Sequence, residues 1–337
     1  MDDLFAYTAK QDGEVTKVTK NAITITYADG STKSIELGRR FGVAAGTTFP
    51  HSVVTNLKVG DKFQAGNAIA YNEGYFAPDV LNPREVVWKA GLMAKTAIME
   101  SPDTLEDSSA ISERLASDLA TQMTKVRTLV IPFDQVVRDL VSEGETVDTE
   151  SILCIIEDQA TAANDLFTEE TLNSLKILSA NTPRAKYAGT VDRVEVFYHG
   201  DLEDMSDSLR QLASRSDQEL AKRCRALGKP VVTGSVDGGV RFESDPLEMD
   251  NLAIKIYITS EVAAGIGDKG VFGSQLKTIF ARVMSGVNET ESGVEIDAIF
   301  GYQSISARIV LSPETMGTTN TLLRVISQRV AKTYRGG

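Results

Sequence analysis

Gly267-Asp268-Lys269-Gly270-Val271-Phe272-Gly273-Ser274-Gln275-Leu276-Lys277 sets two lysines eight residues apart in a glycine-rich loop. The apolar run Ala253 to Thr259 reads as a buried strand leading into this loop, and Gln275 to Met284 reads as helical or mixed beyond it. Glycines at 267, 270 and 273 permit positive φ and close approach of backbone or ligand. Further on, Asp297-Ala298-Ile299-Phe300-Gly301-Tyr302-Gln303-Ser304-Ile305-Ser306-Ala307-Arg308 puts an arginine eleven residues after an aspartate. Lysine is a compact point charge suited to phosphate, and the arginine fork grips phosphate oxygens bidentately. Lys269, Lys277 and Arg308 therefore point to a site for a polyphosphate or a nucleic-acid backbone. Arg308 lies among Ile305, Ile309 and Leu311, read here as an apolar strand, where a buried guanidinium needs a partner.

Upstream, the first 80 residues read as short strands. Gly13 to Val18 and Ala22 to Tyr27 alternate with period two, and Asp29-Gly30 is a hairpin signal. Leu57 to Ala70 reads as strand, turn and strand, and a similar pattern recurs from Val141 to Ile156. These two copies resemble a lipoyl-like barrel-sandwich pattern and suggest one barrel built from separated segments. Glu85 to Lys95 reads as helical, Ile111 to Met123 as mixed, and Phe167 to Leu178 as a helix with an acidic start. Ala188 to Phe197 is an alternating strand. Leu202, Met205, Leu209 and Leu212 recur at helical spacing before Gly228 and Pro230, as one or two amphipathic helices forming a packing seam or a partner surface. Thr318 to Tyr334 reads as a closing helix.

A chain of 337 residues can hold two or three cores. No apolar run approaches the roughly 20 residues of a membrane helix, and Met1-Asp2-Asp3-Leu4 carries acid where a signal peptide carries base. Cys154 and Cys224 form no close pair, and His51 and His199 are far apart, so a reducing, cytoplasmic setting without a zinc cluster is expected. The net charge of −12 argues against nucleic-acid binding by bulk charge but leaves room for a local basic groove. After Glu314 there is no acid, while Arg324, Arg329, Lys332 and Arg335 are basic: a solvated face, or a surface for a partner or a phosphate backbone.

Several motifs align in one order with the β subunit of multisubunit RNA polymerases. Leu105-Glu106-Asp107-Ser108-Ser109-Ala110-Ile111-Ser112-Glu113-Arg114 resembles that family's phenylalanine-glutamate-aspartate-serine segment. Gly267-Asp268-Lys269 with Lys277 resembles its paired-lysine loop, and Asp297 to Arg308 its later aspartate-to-arginine segment. The resemblance runs from about residue 13 to 320 and matches only the C-terminal half of a β subunit, as in the split β-like chains of large bacteriophages. The family's arginine, histidine and asparagine between the lysines are absent here, as is the triple-aspartate loop that the largest subunit carries.

The resemblance implies an α+β, β-rich fold: a double-psi β-barrel, a barrel-sandwich hybrid domain and a flap-like insertion. The implied boundaries are 10–84 and 126–160 for the barrel-sandwich domain, 85–125 and 245–315 for the double-psi barrel, 161–244 for the flap and 316–337 for the closing helix. It implies a DNA-directed RNA polymerase, active only as a multisubunit complex in a host cytoplasm or a virion. Lys269 and Lys277 would contact the RNA 3′ end and nucleotide phosphates, and Arg308 the triphosphate tail. Glu106 and Asp107 would lie near a second Mg²⁺ held mainly by a partner subunit. The partners would be N-terminal β-like and β′-like chains, the DNA template, the RNA–DNA hybrid and NTPs.

Read without the resemblance, Glu106-Asp107 is an ordinary helix N-terminus capped by Ser108 and Ser109. Gly265-Ile266-Gly267-Asp268-Lys269-Gly270 also spells G-x-G-x-x-G, so an NAD(P)-binding Rossmann turn, with Glu289 or Glu291 as the ribose acid, is the rival expectation. A non-catalytic structural relic of a polymerase subunit is a third.

Overall fold

The computed structural model describes residues 6–44, 46–158, 181–242, 245–273, 275–308 and 311–336. The expected helix from Phe167 to Leu178 lies outside them. The chain divides into two compact units, Met1–Ala90 with Gln122–Glu261, and Gly91–Thr121 with Val262–Gly337. The fold is β-rich α+β, as expected.

The first unit is built on an eight-stranded sheet ordered Ala6–Thr8, Ala68–Asn72, Thr47–Val54, Thr121–Pro132, Asn251–Val262, Gly189–His199, Thr146–Val147, with Gly38–Ala44 paired to Thr47–Val54. Asn251–Val262 runs antiparallel to Gly189–His199 and buries Leu252, Ile254, Ile256 and Ile258. Against this core lies the helix Asp207–Ala226, contributing Leu209 and Ala213, with Met205 just before it. The leucine stripe is thus a packing seam, Leu209 and Leu212 on this helix and Leu202 and Met205 on the short turn before it. Tyr198 donates from its hydroxyl to Asp217 of that helix at 2.9 Å, and the Gly234 amide donates to the same carboxylate at 2.6 Å.

The two sequence copies dock alike. The strand Gly13–Val18 and the first part of Gly189–His199 share the pattern Gly-x-Val-x-x-Val. In the first copy the Gly60 amide donates to Val15 O at 2.8 Å and the Val15 amide to Asp61 O at 2.9 Å. In the second, the Gly144 amide donates to Val191 O at 2.7 Å and the Val191 amide to Glu145 O at 2.8 Å. Gly13 then pairs with Phe63 as Gly189 pairs with Val147, and each strand carries a bulge just after its first valine. The copies occupy different sheets, a four-stranded one (Thr32–Glu36, Ala22–Tyr27, Gly13–Val18, Lys62–Phe63) and the eight-stranded one. The copies thus form two turn-on-strand units in different sheets, and among the described residues neither sheet closes into a barrel.

The second unit is an open five-stranded sheet ordered Thr96–Ile98, Ala298–Phe300, Ser108–Ser112, Leu276–Met284, Lys269–Phe272. Thr96–Ile98 is parallel to Ala298–Phe300, Ser108–Ser112 is parallel to Leu276–Met284, and the other pairings are antiparallel. Among the described residues no closed barrel forms. Ile111, Leu115, Ala116, Phe280 and Ala298 make one small core, and Leu276, Phe300 and Ile305 another.

Local structure departs from expectation in three places. Gln275 to Met284 contains a strand, Leu276–Met284, because Leu276, Thr278 and Phe280 turn inward while Lys277, Ile279 and Ala281 face out with period two. Glu85 to Lys95 holds the strand Val86–Trp88 paired with Phe76–Pro78, followed by loop and not helix; Val86, Val87 and Trp88 suit a hairpin better than a helix. Arg308 follows the short helix Tyr302–Ser306 and is in no strand. The closing helix runs Ser312–Gly336.

Candidate functional site

Lys269 and Lys277 stand on the two paired strands of a tight antiparallel hairpin. Lys269 is registered opposite Ile279, and Val271 opposite Lys277. An eight-residue separation across this turn therefore puts both lysines on one face as diagonal neighbours, within the roughly 7–8 Å typical of such pairs. Both are exposed, and neither meets a carboxylate among the described residues. Two like charges so placed repel mildly, and an anion bridging them relieves the repulsion.

Two glycine positions shape the hairpin. Gly273 has φ +53° at the turn. A Cβ on Gly270 would collide with the ring of Phe280, which packs across the hairpin. Lys269 and its neighbours thus stand on a strand locked by an aromatic ring in the core.

The other neighbour of Ile279 is Ser108, paired with it in parallel. Just before Ser108, Glu106 and Asp107 both adopt left-handed backbone, with φ of 48° and 67°. For residues with a Cβ this costs roughly 1–2 kcal/mol each, so the turn must be held from outside. The Ser108 hydroxyl donates to Asp103 O at 2.9 Å and also bonds the Leu105 carbonyl, while the Ile279 amide donates to Asp107 O at 3.2 Å. The Glu106-Asp107 pair is therefore a strained turn into a strand and not a helix N-terminus. The nearby helix Glu113–Asp118 is capped by Ser112, whose Oγ accepts from the Leu115 amide at 3.1 Å.

Arg308 completes the group. Its Nη2 donates to Asp107 Oδ2 at 2.8 Å and its Nη1 to Ser304 O at 2.9 Å. The pair is open to water, with the side chains 33% and 51% exposed, so it stabilises by about 0–1 kcal/mol. A phosphate would compete with Asp107 for the Arg308 guanidinium against only this small stabilisation. The structure thus brings Asp107 to Arg308 and sets Lys277 and Lys269 on the next two strands of the same sheet beyond Ser108. Glu106 is exposed, and its carboxylate meets no partner among the described residues.

The groups that brace this arrangement had no role in the sequence reading, although Asp297 and Arg114 stand in its motifs. Asp297 is buried; its Oδ2 accepts from the Lys95 amide at 2.8 Å and its Oδ1 from Arg114 Nη2, while its carbonyl accepts from the Ser112 amide at 2.7 Å. Arg114 also reaches Glu295 at 3.6 Å. Asp297 is thus a tie between three segments, not a free acid. Arg282 pairs with Asp103 at 3.4 Å, and Glu100 accepts from the Gln303 amide at 2.7 Å, steadying the turn and the helix before Arg308. No local pattern announces these partners, which lie 179 and 203 residues apart.

The G-x-G-x-x-G reading fails on geometry. A dinucleotide turn must open a helix whose N-terminus meets the pyrophosphate, whereas Gly265–Gly270 enters the strand Lys269–Phe272. Among the described residues no group of three or more His, Cys, Asp or Glu converges as a metal site. None of their helices is long and apolar enough to cross a membrane. No protein-family model matches the sequence, and no curated protein matches it significantly.

Proposed function

We propose that this chain is the C-terminal, β-like part of a multisubunit DNA-directed RNA polymerase, forming one wall of its active centre. The observation that carries the reading is that the Lys269–Lys277 hairpin belongs to the same sheet as the strand Ser108–Ser112, whose entry turn holds the Asp107–Arg308 pair. That arrangement offers two exposed lysines and one arginine in a weak ion pair to an extended anion of several phosphates. The double-psi barrel belongs to this proposal; the open mixed sheet of the second unit would be its portion within this chain.

Nucleotidyl transfer needs a 3′ hydroxyl in line with an α-phosphate and neutralisation of the leaving pyrophosphate. In this reading Lys269 and Lys277 hold the RNA 3′ end and the nucleotide phosphates. Arg308, released from Asp107, forks onto the triphosphate tail and offsets the negative charge that builds there. Glu106 and Asp107 offer only two carboxylates, too few for a metal cage, so they fit an outer role beside Mg²⁺ whose ligands come mainly from a partner subunit. When bound, Mg²⁺ supplies Lewis-acid stabilisation of the transferring phosphoryl group.

The test is co-purification of the tagged chain from its native source, with primer extension on the eluate. Stoichiometric partner chains and Mg²⁺-dependent RNA synthesis support the reading. A complex without synthesis would favour the structural-relic alternative.

A further inference from the structure

In the helix Ser312–Gly336 no described side chain is buried. Its start is tied to the hairpin turn, Gln275 Nε2 donating to Ser312 Oγ at 3.0 Å. Beyond that the helix carries an apolar stripe, Met316, Leu323, Ile326 and Val330, widened by Leu322 and Tyr334. Leu322, Leu323, Ile326 and Val330 are all more than half exposed. The 316, 323, 326, 330 spacing is that of a helix seam.

Such a helix is not stable by itself. Gly317-Thr318-Thr319-Asn320-Thr321 is a run of weak helix formers, and most helical stability in proteins comes from packing of the apolar face. Something must cover the stripe when the protein works. Charge narrows the occupant. After Glu314 the helix has only basic charge, Arg324, Arg329, Lys332 and Arg335, with Arg329 on the margin of the stripe three residues from Ile326. A second copy of this helix would meet Arg329 beside the stripe with no acid of its own, since the helix carries none after Glu314. A membrane fits less well: Thr319 and Thr333 interrupt the stripe, and the chain as a whole, at −12, is repelled by an extended anionic surface. A single acidic helix meets only the basic element.

We propose that the Met316–Leu323–Ile326–Val330 face docks an amphipathic helix of a partner protein that carries Asp or Glu beside its own apolar stripe. This rests on the helix alone and stands apart from the polymerase reading.

The test titrates the full chain against synthetic amphipathic peptides with a leucine stripe flanked by Glu or by Lys, phosphatidylserine–phosphatidylcholine vesicles and duplex DNA, read by fluorescence anisotropy and co-sedimentation. The Glu peptide should bind, more weakly as salt rises, and Leu323→Asp with Ile326→Asp should weaken it by at least about tenfold. Arg329→Glu, which leaves the stripe intact, should shift preference toward the Lys peptide. Equal binding of both peptides, preference for vesicles, binding to DNA alone or binding to none would each overturn the proposal.

Discussion

Arg308 and Asp107 meet at 2.8 Å although 201 residues separate them in the chain. The ion pair joins the end of a short helix to a left-handed turn, and both partners stay wet. Its weakness suits a functional arginine: a pair this exposed holds the guanidinium ready without burying it.

Asp107→Asn, which removes the charge but keeps a residue that tolerates the left-handed backbone, should therefore change stability by less than about 1 kcal/mol, as for exposed ion pairs generally. Chemical denaturation of the isolated chain checks this. A loss of several kcal/mol would make the pair a structural element and weaken its assignment to a phosphate site.

Lys269→Ala and Lys277→Ala should each lower the salt dependence of nucleic-acid binding by the assembled complex, the slope falling by about one unit for each phosphate that is no longer neutralised. Filter binding across salt concentrations measures it. Unchanged slopes for both variants would mean that the lysines face only solvent.

Gly270→Ala should destabilise the second unit by about 1–3 kcal/mol, because the new methyl group must displace the buried Phe280 ring. Phe280→Leu in the same chain should recover part of that loss, since two residues in contact do not act additively. Two independent, additive losses in thermal unfolding would show that the ring does not lock the hairpin.

Glu36 supplies a pH signature. Burial raises its carboxyl pKa, but hydrogen bonding and charge from Arg223, with Arg40 and Lys229, outweigh burial and hold it below the usual carboxylate range. A depressed folded pKa gives stability that is present above the unfolded value and lost as pH falls through the folded one. Glu36→Gln should thus be destabilising at neutral pH and should converge with the parent in acid. His51 adds to the same trend, since burial and then Arg39 keep its pKa low, so its stabilising share fades below the ordinary histidine range. Parallel pH–stability curves for parent and Glu36→Gln would contradict the assignment.

Much of the β framework was legible in the sequence. Period-two alternation marks Gly13–Val18, Ala22–Tyr27 and Gly189–His199 because each strand has one face on the core. The Leu276–Met284 strand was not legible: Leu276, Phe280 and Met284 are four apart, which satisfies a helix face and alternate strand positions equally. The spacing of Lys269 and Lys277 hinted at a site, but only the hairpin register puts them on one face. The pairing of Arg308 with Asp107 and of Arg114 with Asp297 left no trace, since interactions between distant segments impose no local period.

The most direct test of the account is single-nucleotide addition by the purified native complex carrying Arg308→Ala. A charge aimed at a transition state supplies about 3–4 kcal/mol, so kcat should fall by roughly 100- to 1000-fold while the subunits still assemble. Elongation at the parental rate would contradict the assignment of Arg308 to the triphosphate, and with it the central claim.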